Sequence, residues 1–450
     1  MRRCEDAMNI TLPKDVSKII RELEDHGFEA FAVGGCVRDV ILGREPEDWD
    51  ITTSAKPEDI KAIYSRTIDT GIEHGTVKVM LGREGYEVTT YRIDGKYSDN
   101  RHPDKVEFTA SLEEDLKRRD FTINAMAYNE SRGLVDMFGG MEDLQGKIIR
   151  CVGDPKERFK EDALRMFRAV RFSAQLGFDI EEGTADAIMD LHDNLKTISA
   201  ERIQTELVKL IVSDHPERIR DCYHLGITAA VLPEFDAMML TPQHHIHHIY
   251  NVGEHTIKVM ENVAPTKVMR LTALLHDIAK PETITRDEAG DTHFKGHPLK
   301  GAEKAKSILR RLKFDNDTIH KVETLIKWHD DRPPAKDVNI RKILNRIGEE
   351  LFLMLLDIKY GDIMGQSEYM RAEKLSALEE YRKCFNRIID RKQCFTIKDL
   401  AVDGHDLMDI GIPAGVELGK TLSKLLDLVL EDPEKNEKDI LLSYIKKELQ

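Results

Sequence analysis

Ala32-Val33-Gly34-Gly35-Cys36-Val37-Arg38-Asp39 and, a little further on, Asp48-Trp49-Asp50-Ile51 are the stretches from which the fold is read. Phe28 to Val33 reads as a strand, and Gly34-Gly35 as a turn whose bare backbone lets N–H groups come close to a phosphate. A short helix follows from Val37 and stops at Gly43. The segment 48–51 reads as a second strand. Alternate residues of a strand share a face, so Asp48 and Asp50 present two carboxylates side by side. Such a pair repels itself unless a cation lies between, and hard oxygen ligands suit Mg²⁺. Val77–Leu81 and Tyr86–Tyr91 read as a hairpin, which would bring Glu87 in as a third carboxylate. Asp48, Asp50 and Glu87 then describe a two-metal catalytic site, the kind that clamps the attacking and leaving oxygens of an in-line displacement. Asp-x-Asp alone is a common solvated pattern. The glycine pair before it and the Glu-bearing strand after it set this one apart.

Outward from this region the pattern changes. Val16, Ile19, Ile20 and Leu23 recur at helical spacing over 13–26, and Gly27 is a natural stop. Beyond about residue 150, amphipathic helices are expected at 157–176, 201–212, 255–262, 267–279 and 299–312. Pro and Gly gather near 232–242, 281–301 and 332–335. A chain of 450 residues is too long for one core. Its 41% apolar and 33% charged content is that of a globular protein. No stretch approaches the roughly 20 apolar residues of a membrane span. The opening segment lacks a signal-peptide core, and the six cysteines show no metal-type spacing. A cytoplasmic protein with reduced thiols, and no membrane or protein partner, is the expectation. The net charge of −15 excludes an indiscriminate nucleic-acid binder, though a local basic strip would still serve an RNA enzyme. Lys156, Arg158, Lys160, Arg165, Arg168 and Arg171 are a candidate strip; a helix face laced with Glu157 and Glu161 is the plainer reading.

Two further constellations bear on nucleotides. In Arg118-Arg119-Asp120-Phe121-Thr122-Ile123-Asn124, guanidinium forks suit triphosphate oxygens. Asp120 would orient one guanidinium, and Asn124 would reach a ribose or phosphate oxygen; as a bare string it reads equally as a surface ion pair entering a helix. In Glu161-Asp162-Ala163-Leu164-Arg165, read as helix interior, Asp162 and Arg165 fall on one face. A carboxylate accepts from an exocyclic amine and a guanidinium donates to a ring nitrogen or carbonyl, so the pair would take C and A and refuse U and G. An ordinary Glu161–Arg165 salt bridge is the alternative.

Gly34-Gly35-Cys36-Val37-Arg38-Asp39, Asp48-Trp49-Asp50, Arg118-Arg119-Asp120 with Asn124, and Glu161-Asp162-x-x-Arg165 resemble the successive motifs of class II tRNA nucleotidyltransferases. Gly140-x-x-Asp143-Leu144 and Glu201-Arg202-Ile203-x-x-Glu206 resemble two more, over roughly residues 25–230. The resemblance implies an α+β fold: a mixed-sheet nucleotidyltransferase head, then an all-helical neck, body and tail. It implies that Asp48 and Asp50 bind two Mg²⁺ ions with help from Glu87. Gly34, Gly35, Arg38, Arg119, Asp120, Asn124 and Arg168 belong to the nucleotide site, and Asp162 and Arg165 read the base. The expected domains are head 1–150, neck 151–235, body 236–370 and tRNA-binding tail 371–450. The segment from Asp94 to Pro103 resembles the flexible loop that CCA-adding members keep.

In the body, His255, His276-Asp277, His297, His329 and Asp362 form a series suited to a transition metal or Mg²⁺. Leu274-Leu275-His276-Asp277-Ile278-Ala279-Lys280-Pro281 and His297-Pro298-x-x-Gly301-Ala302 resemble an HD-domain phosphohydrolase core. The run His244-His245-x-His247-His248 is read as solvated or touching RNA phosphate. The implied activity is template-independent addition of CCA to tRNA 3′ ends from CTP and ATP, with release of pyrophosphate. An A-adding enzyme or poly(A) polymerase, and an HD-type phosphohydrolase whose head only binds nucleotides, are the alternatives.

Overall fold

Seven strands form the sheet of the head in the computed structural model, which describes residues 10–94 and 106–448. The sheet strands are β1 (Ala30–Val33), β2 (Asp50–Thr53), β3 (Thr67–Gly71), β4 (Thr76–Leu81), β5 (Glu84–Thr90), β8 (Met126–Asn129) and β9 (Gly133–Asp136); β6 (Arg92–Asp94) and β7 (Val106–Phe108) lie between β5 and β8 in the chain. The order is β3-β4-β5-β2-β1-β8-β9, with β6 and β7 apart as an antiparallel ribbon. Only β2 and β5 run parallel within this sheet; every other neighbouring pair is antiparallel. Ile51, Val77 and Val88 are buried. Phe31, Val33, Tyr91, Leu112, Leu116 and Ala127 form an apolar cluster in the head. The polar alternates of β2 and β5 are thereby left for the functional face.

Helix α1 (Lys14–Asp25) buries the four expected apolar residues and is followed by Gly27 at φ 84°. Helix α2 (Gly35–Ile41) starts at the second glycine of the pair. The strand carrying the aspartates begins at Asp50, so Asp48 and Trp49 lie in the chain leading into it rather than inside it. The candidate loop from Asp94 to Pro103 falls almost wholly outside the described residues. Next come α3 (Pro57–Ile63), α4 (Leu112–Lys117), α5 (Gly140–Gly146), α6 (Pro155–Glu161), α7 (Leu164–Leu176), α8 (Glu182–Leu191) and α9 (Ala200–Ile211).

The single helix expected over 157–176 is two. Asp162 adopts φ −142°, ψ 103° between α6 and α7. Its Oδ1 accepts from the Leu164 amide, a side chain taking the place of a helical carbonyl. The expected all-helical neck and body also carry two-residue strands: Ile148–Ile149 pairs in parallel with Asp179–Ile180, and Thr285–Arg286 pairs with Thr292–His293.

The chain divides into two compact units, 1–233 and 234–450. The second contains α10 (Val252–Glu261), α11 (Lys267–Leu275), α12 (His297–Arg311), α13 (Asn316–Trp328), α14 (Asp337–Gly365) and α15 (Arg371–Asp390). Toward its end Cys394, Val402, Leu407, Leu425, Val429 and Leu441 share a small core. The five described cysteines are free and buried. No described helix is long and apolar enough to cross a membrane.

Candidate active site

In the head, β2 and β5 set Asp50 directly opposite Glu87 in parallel register, and Glu87 in turn faces Lys78 of β4. Asp48, Asp50 and Glu87 all remain open to solvent. Partial burial pushes the Asp50 carboxyl up, Arg119 opposes that, and Glu87 and Asp48 add repulsion. Crowded like charges on hard oxygens are the donor set a divalent cation satisfies. Among the described residues, these three carboxylates do not all come within 4.8 Å of one another.

Gly34 sits at φ 85°, ψ −131°, where an L side chain is strained. A Cβ there would lie 2.7 Å from Arg119 Nη1. The guanidinium therefore lies against the glycine turn, within electrostatic reach of Asp50, and its Nε is buried without a hydrogen-bond partner among the described residues. Burial lowers its pKa, with Asp115 the leading opposing charge. A Gly34→Ala change is expected to displace Arg119. Losing one charge-assisted contact of roughly 1.5–3 kcal/mol would weaken CTP binding by about 10- to 100-fold, as read by calorimetry. Arg118 turns away from the site to clamp the fully buried Asp115 at 2.8 Å.

The remaining expected nucleotide residues hold one another. Arg38 Nη1 donates to Asn124 Oδ1 at 2.7 Å, and Asn124 Nδ2 donates to Asp120 Oδ1 at 3.2 Å. Arg168 donates to Asp120 Oδ2 through Nε at 2.9 Å and Nη2 at 2.6 Å. Arg171, 2.8 Å from Glu206, lies 3.5 Å over the Phe172 ring, which Arg38 and Arg168 also flank. Asn124 thus has both amide atoms engaged inside the protein. Burial pushes the Asp120 carboxyl up, yet Arg168, then Arg165 and Asn124, hold it well below the usual carboxylate range. A folded-state pKa below the unfolded value gives stability that is present above about pH 4 and lost as pH falls toward the folded value. Asp120→Asn is expected to cost about 2 kcal/mol at pH 7. Its urea stability is expected to fall less than the parent's between pH 6 and pH 3; equal acid losses would contradict the depressed carboxyl.

The base-reading pair is likewise tied in. Asp162 Oδ2 accepts from Arg202 Nη2 at 2.7 Å. Arg165 Nη1 donates to Glu161 at 2.7 Å and Nη2 to the Arg118 carbonyl at 3.1 Å. The plain Glu161–Arg165 salt bridge is therefore present, and it leaves Asp162 beside Arg165 across the helix break. The candidate basic strip is not a free cationic surface. Lys156 pairs with Asp190, Arg158 and Arg165 with Glu161, Lys160 with Glu157, Arg168 with Asp120, and Arg171 with Glu206. Arg202 and Glu206, of Glu201-Arg202-Ile203-x-x-Glu206, hold Asp162 and Arg171, partners that lie far off in sequence.

In the second unit, six buried or nearly buried side chains meet at helix ends. His255 lies on α10, His276-Asp277 just past α11, His297 at the start of α12, His329 just past α13, and Asp362 near the end of α14. Gly361 and Gly365 let α14 approach α10 closely: a Cβ on Gly361 would lie 2.7 Å from Val263 Cγ1. Asp277 faces His255, His276, His297 and His329 at 3.5, 3.2, 3.3 and 3.7 Å, and Asp362 stands 3.0 Å from His255. Burial raises the Asp277 carboxyl, but His276 and Lys280 hold it well below the usual range. The run 244–248 is not merely solvated. His248 packs edge-on to His255, and burial pushes its pKa down to about 3. His245 and His247 line the cavity over the cluster. Lys280, unassigned from sequence although one helical turn past Asp277, lies 2.7 Å from its Oδ2.

Comparison with known proteins agrees along the whole chain. Residues 30–150 match the family described as "Poly A polymerase head domain", and residues 177–239 match "Probable RNA and SrmB- binding site of polymerase A". Residues 297–445 match "tRNA nucleotidyltransferase domain 2". The CCA-adding enzyme of Lactobacillus helveticus is 37% identical over 95% of both chains. That of Enterococcus faecalis is 34% identical over 97% of this chain and 96% of its own. The CCA-adding enzyme of Bacillus stearothermophilus, solved in complex with CTP, superposes with a TM-score of 0.70 at 28% identity, over 98% of this chain and 99% of its own. A Thermotoga maritima CCA-adding enzyme complexed with tRNA shares the fold with a TM-score of 0.60 at 20% identity, over 97% and 96% of the two chains. With its glycine turn, its carboxylate face and full-length relatives of this kind, the chain belongs to the CCA-adding enzyme family of tRNA nucleotidyltransferases.

Proposed function

We infer that this protein adds CCA to tRNA 3′ ends from CTP and ATP without a nucleic-acid template. The observation that carries this reading is Asp50 in register with Glu87 beside Arg119, in a chain whose relatives over nearly its full length are CCA-adding enzymes. The tRNA 3′ oxygen bonds to the α-phosphorus, the bond to the β-phosphate bridging oxygen breaks, and pyrophosphate leaves. Enzymes of this family use divalent metal ions, generally Mg²⁺. Asp48, Asp50 and Glu87 are the residues to hold two such ions, which when bound would supply charge neutralisation at the attacking and leaving oxygens. Gly34, Gly35 and Arg119 receive the triphosphate. Arg38, Asp120, Asn124 and Arg168 keep that corner in shape, and Asp162 and Arg165 read the base. The domain roles follow: head 1–150 for catalysis, neck 151–235 for reading, and tail 371–450 for holding tRNA. The body, 236–370, binds a divalent cation through its His/Asp cluster. The cytoplasm, where tRNA is matured, is the compartment this function requires.

Three tRNA transcripts, ending before CCA, at C and at CC, test this when supplied with Mg²⁺ and with CTP or ATP, singly and together. Growth of the shortest to CCA, then arrest, is expected. Addition of A alone or a long A tail would overturn the reading in favour of the A-adding or poly(A) alternatives, which the named relatives do not favour.

A further inference from the structure

Helix α4 is six residues long and carries none of the residues assigned above to metal, triphosphate or base, yet both the metal face and the base reader are fastened to it. Leu112 and Leu116 root it in the apolar cluster of the head. Between them Asp115 is 0% exposed, with both carboxylate oxygens engaged. Oδ2 accepts from the Thr52 hydroxyl at 3.0 Å. Oδ1 accepts from Arg118 Nε at 3.0 Å and Nη2 at 2.8 Å, and from the Arg92 amide at 3.3 Å. Thr52 stands two residues beyond Asp50 on the same face of β2, and Arg92 opens β6. One buried carboxylate thus grips the catalytic strand and the start of the ribbon. At the other end of α4 the last carbonyls have no helical donor, and guanidinium groups of the base-reading junction supply theirs. Lys117 O accepts from Arg158 Nη1 at 3.3 Å, and Arg118 O from Arg165 Nη2 at 3.1 Å. Cations there also meet the partial negative charge of the helix end. Arg118 does both jobs: its side chain is held by Asp115 while its carbonyl holds Arg165.

We propose that α4, pinned by Asp115, is the strut that sets the spacing between the base reader and the carboxylate face, which makes Asp115 a positioning residue for nucleotide choice. An ion pair this far from water is a weak source of net stability, because desolvation offsets the attraction. What this pair supplies is position. Asp115 acts through Thr52 on the strand that carries Asp50, and through Arg118 on Arg165. A base that pairs with Asp162 and Arg165 is then held where its own α-phosphorus lies over the carboxylate face. A base that does not pair gains nothing from that spacing. Loosening the strut therefore penalises the correct nucleotide more than the incorrect one, since only the correct one draws on the alignment in its transition state.

This proposal rests on the base-reading role given to Arg165, and the test keeps the two apart. Asp115→Asn keeps the shape of the side chain and removes the charge that grips Arg118. Thr52→Val keeps the volume and removes only the hydroxyl link to β2. The assay is single-turnover extension of a tRNA lacking CCA, with Mg²⁺ and with CTP or UTP. Asp115→Asn is expected to slow CTP incorporation by about 10- to 100-fold and to narrow the preference for CTP over UTP by about tenfold, as a misplacement of roughly 1 Å implies. Thr52→Val is expected to act in the same direction and more weakly. Asp115→Asn combined with Arg165→Ala is expected to narrow the preference no further than Arg165→Ala alone. Equal losses for CTP and UTP in both single variants would mean that the pair only holds the fold together, and would overturn the strut. Full additivity in the combined variant would overturn it as well. A preference unchanged by Arg165→Ala, with Asp115 intact, would remove the base-reading role itself and the strut's purpose with it. Urea unfolding identifies a variant that is not folded at the assay temperature. Thr52→Val leaves the Asp115–Arg118 pair whole and decides the matter if Asp115→Asn is such a variant.

Discussion

Asp50→Asn is expected to slow CTP incorporation into a tRNA lacking CCA by about a thousandfold or more, with little change in thermal stability. The substitution keeps shape and hydrogen-bonding reach while removing one charge from a face that already carries Glu87 in register and Asp48 nearby. Folding gains slightly, because the burial of charge and the repulsion by Glu87 and Asp48 that raise the Asp50 carboxyl are both relieved. On the proposed role, catalysis would lose a ligand to the ions that would neutralise the leaving pyrophosphate. Such stabilisation is worth several kcal/mol, and each 1.4 kcal/mol is tenfold in rate. Single-turnover extension with saturating CTP and Mg²⁺ measures it. A variant retaining a tenth of the parental rate would remove Asp50 from the metal-binding set. Glu87→Gln, with Lys78 opposite it to hold the strand pairing, is expected to act in the same direction and less strongly.

The second large effect concerns choice of base. Asp162→Ala and Arg165→Ala are each expected to narrow the preference for CTP over UTP by about 10- to 100-fold, as loss of a pairing worth roughly 1–3 kcal/mol implies. The structure supplies a sharp competing account. Asp162 caps the Leu164 amide and binds Arg202, and Arg165 binds Glu161 and the Arg118 carbonyl. If holding the α6–α7 junction were all these residues did, the rate would fall equally for every nucleotide. Selectivity measured from mixed CTP and UTP, beside the rate with each alone, separates the accounts. Unchanged selectivity in both variants would sink the base-reading role. Arg202→Ala is the companion measurement, since it frees Asp162 Oδ2 while Oδ1 keeps the Leu164 amide.

What the sequence could and could not disclose follows from the range of each interaction. Strand alternation is local, so the Glu87 face and the apolar alternates Ile51 and Val88 were legible, and the hairpin then supplied the register. The start of β2 is not legible from alternation, because Asp48 continues the same pattern although the ladder begins at Asp50. Apolar spacing also runs unbroken from Phe159 to Phe167, which hid the break at Asp162; that break depends on one side chain outcompeting the backbone. Of the two readings of the basic strip, the face laced with Glu157 and Glu161 holds for Arg158, Lys160 and Arg165. The partners of the others, Asp190, Asp120 and Glu206, come from other elements and were not legible. In the body, the residue types announced a cluster. The convergence of four histidines on Asp277 required helices that no local pattern aligns.

The polar relay Arg38–Asn124–Asp120–Arg168, continued through Phe172 to Arg171 and Glu206, also bears on where this chain can be cut and recombined. It stitches the glycine-turn helix α2 to α7 and α9. A chimera joined at residue 150 would part Asp120 and Asn124 from Arg168, stranding a buried carboxylate on one parent and guanidinium groups on the other. A junction near 233, where the first compact unit closes, leaves every one of those bonds within a single parent. Grafting and directed recombination should therefore treat head and neck as one inherited cassette, however distinct their secondary structure looks.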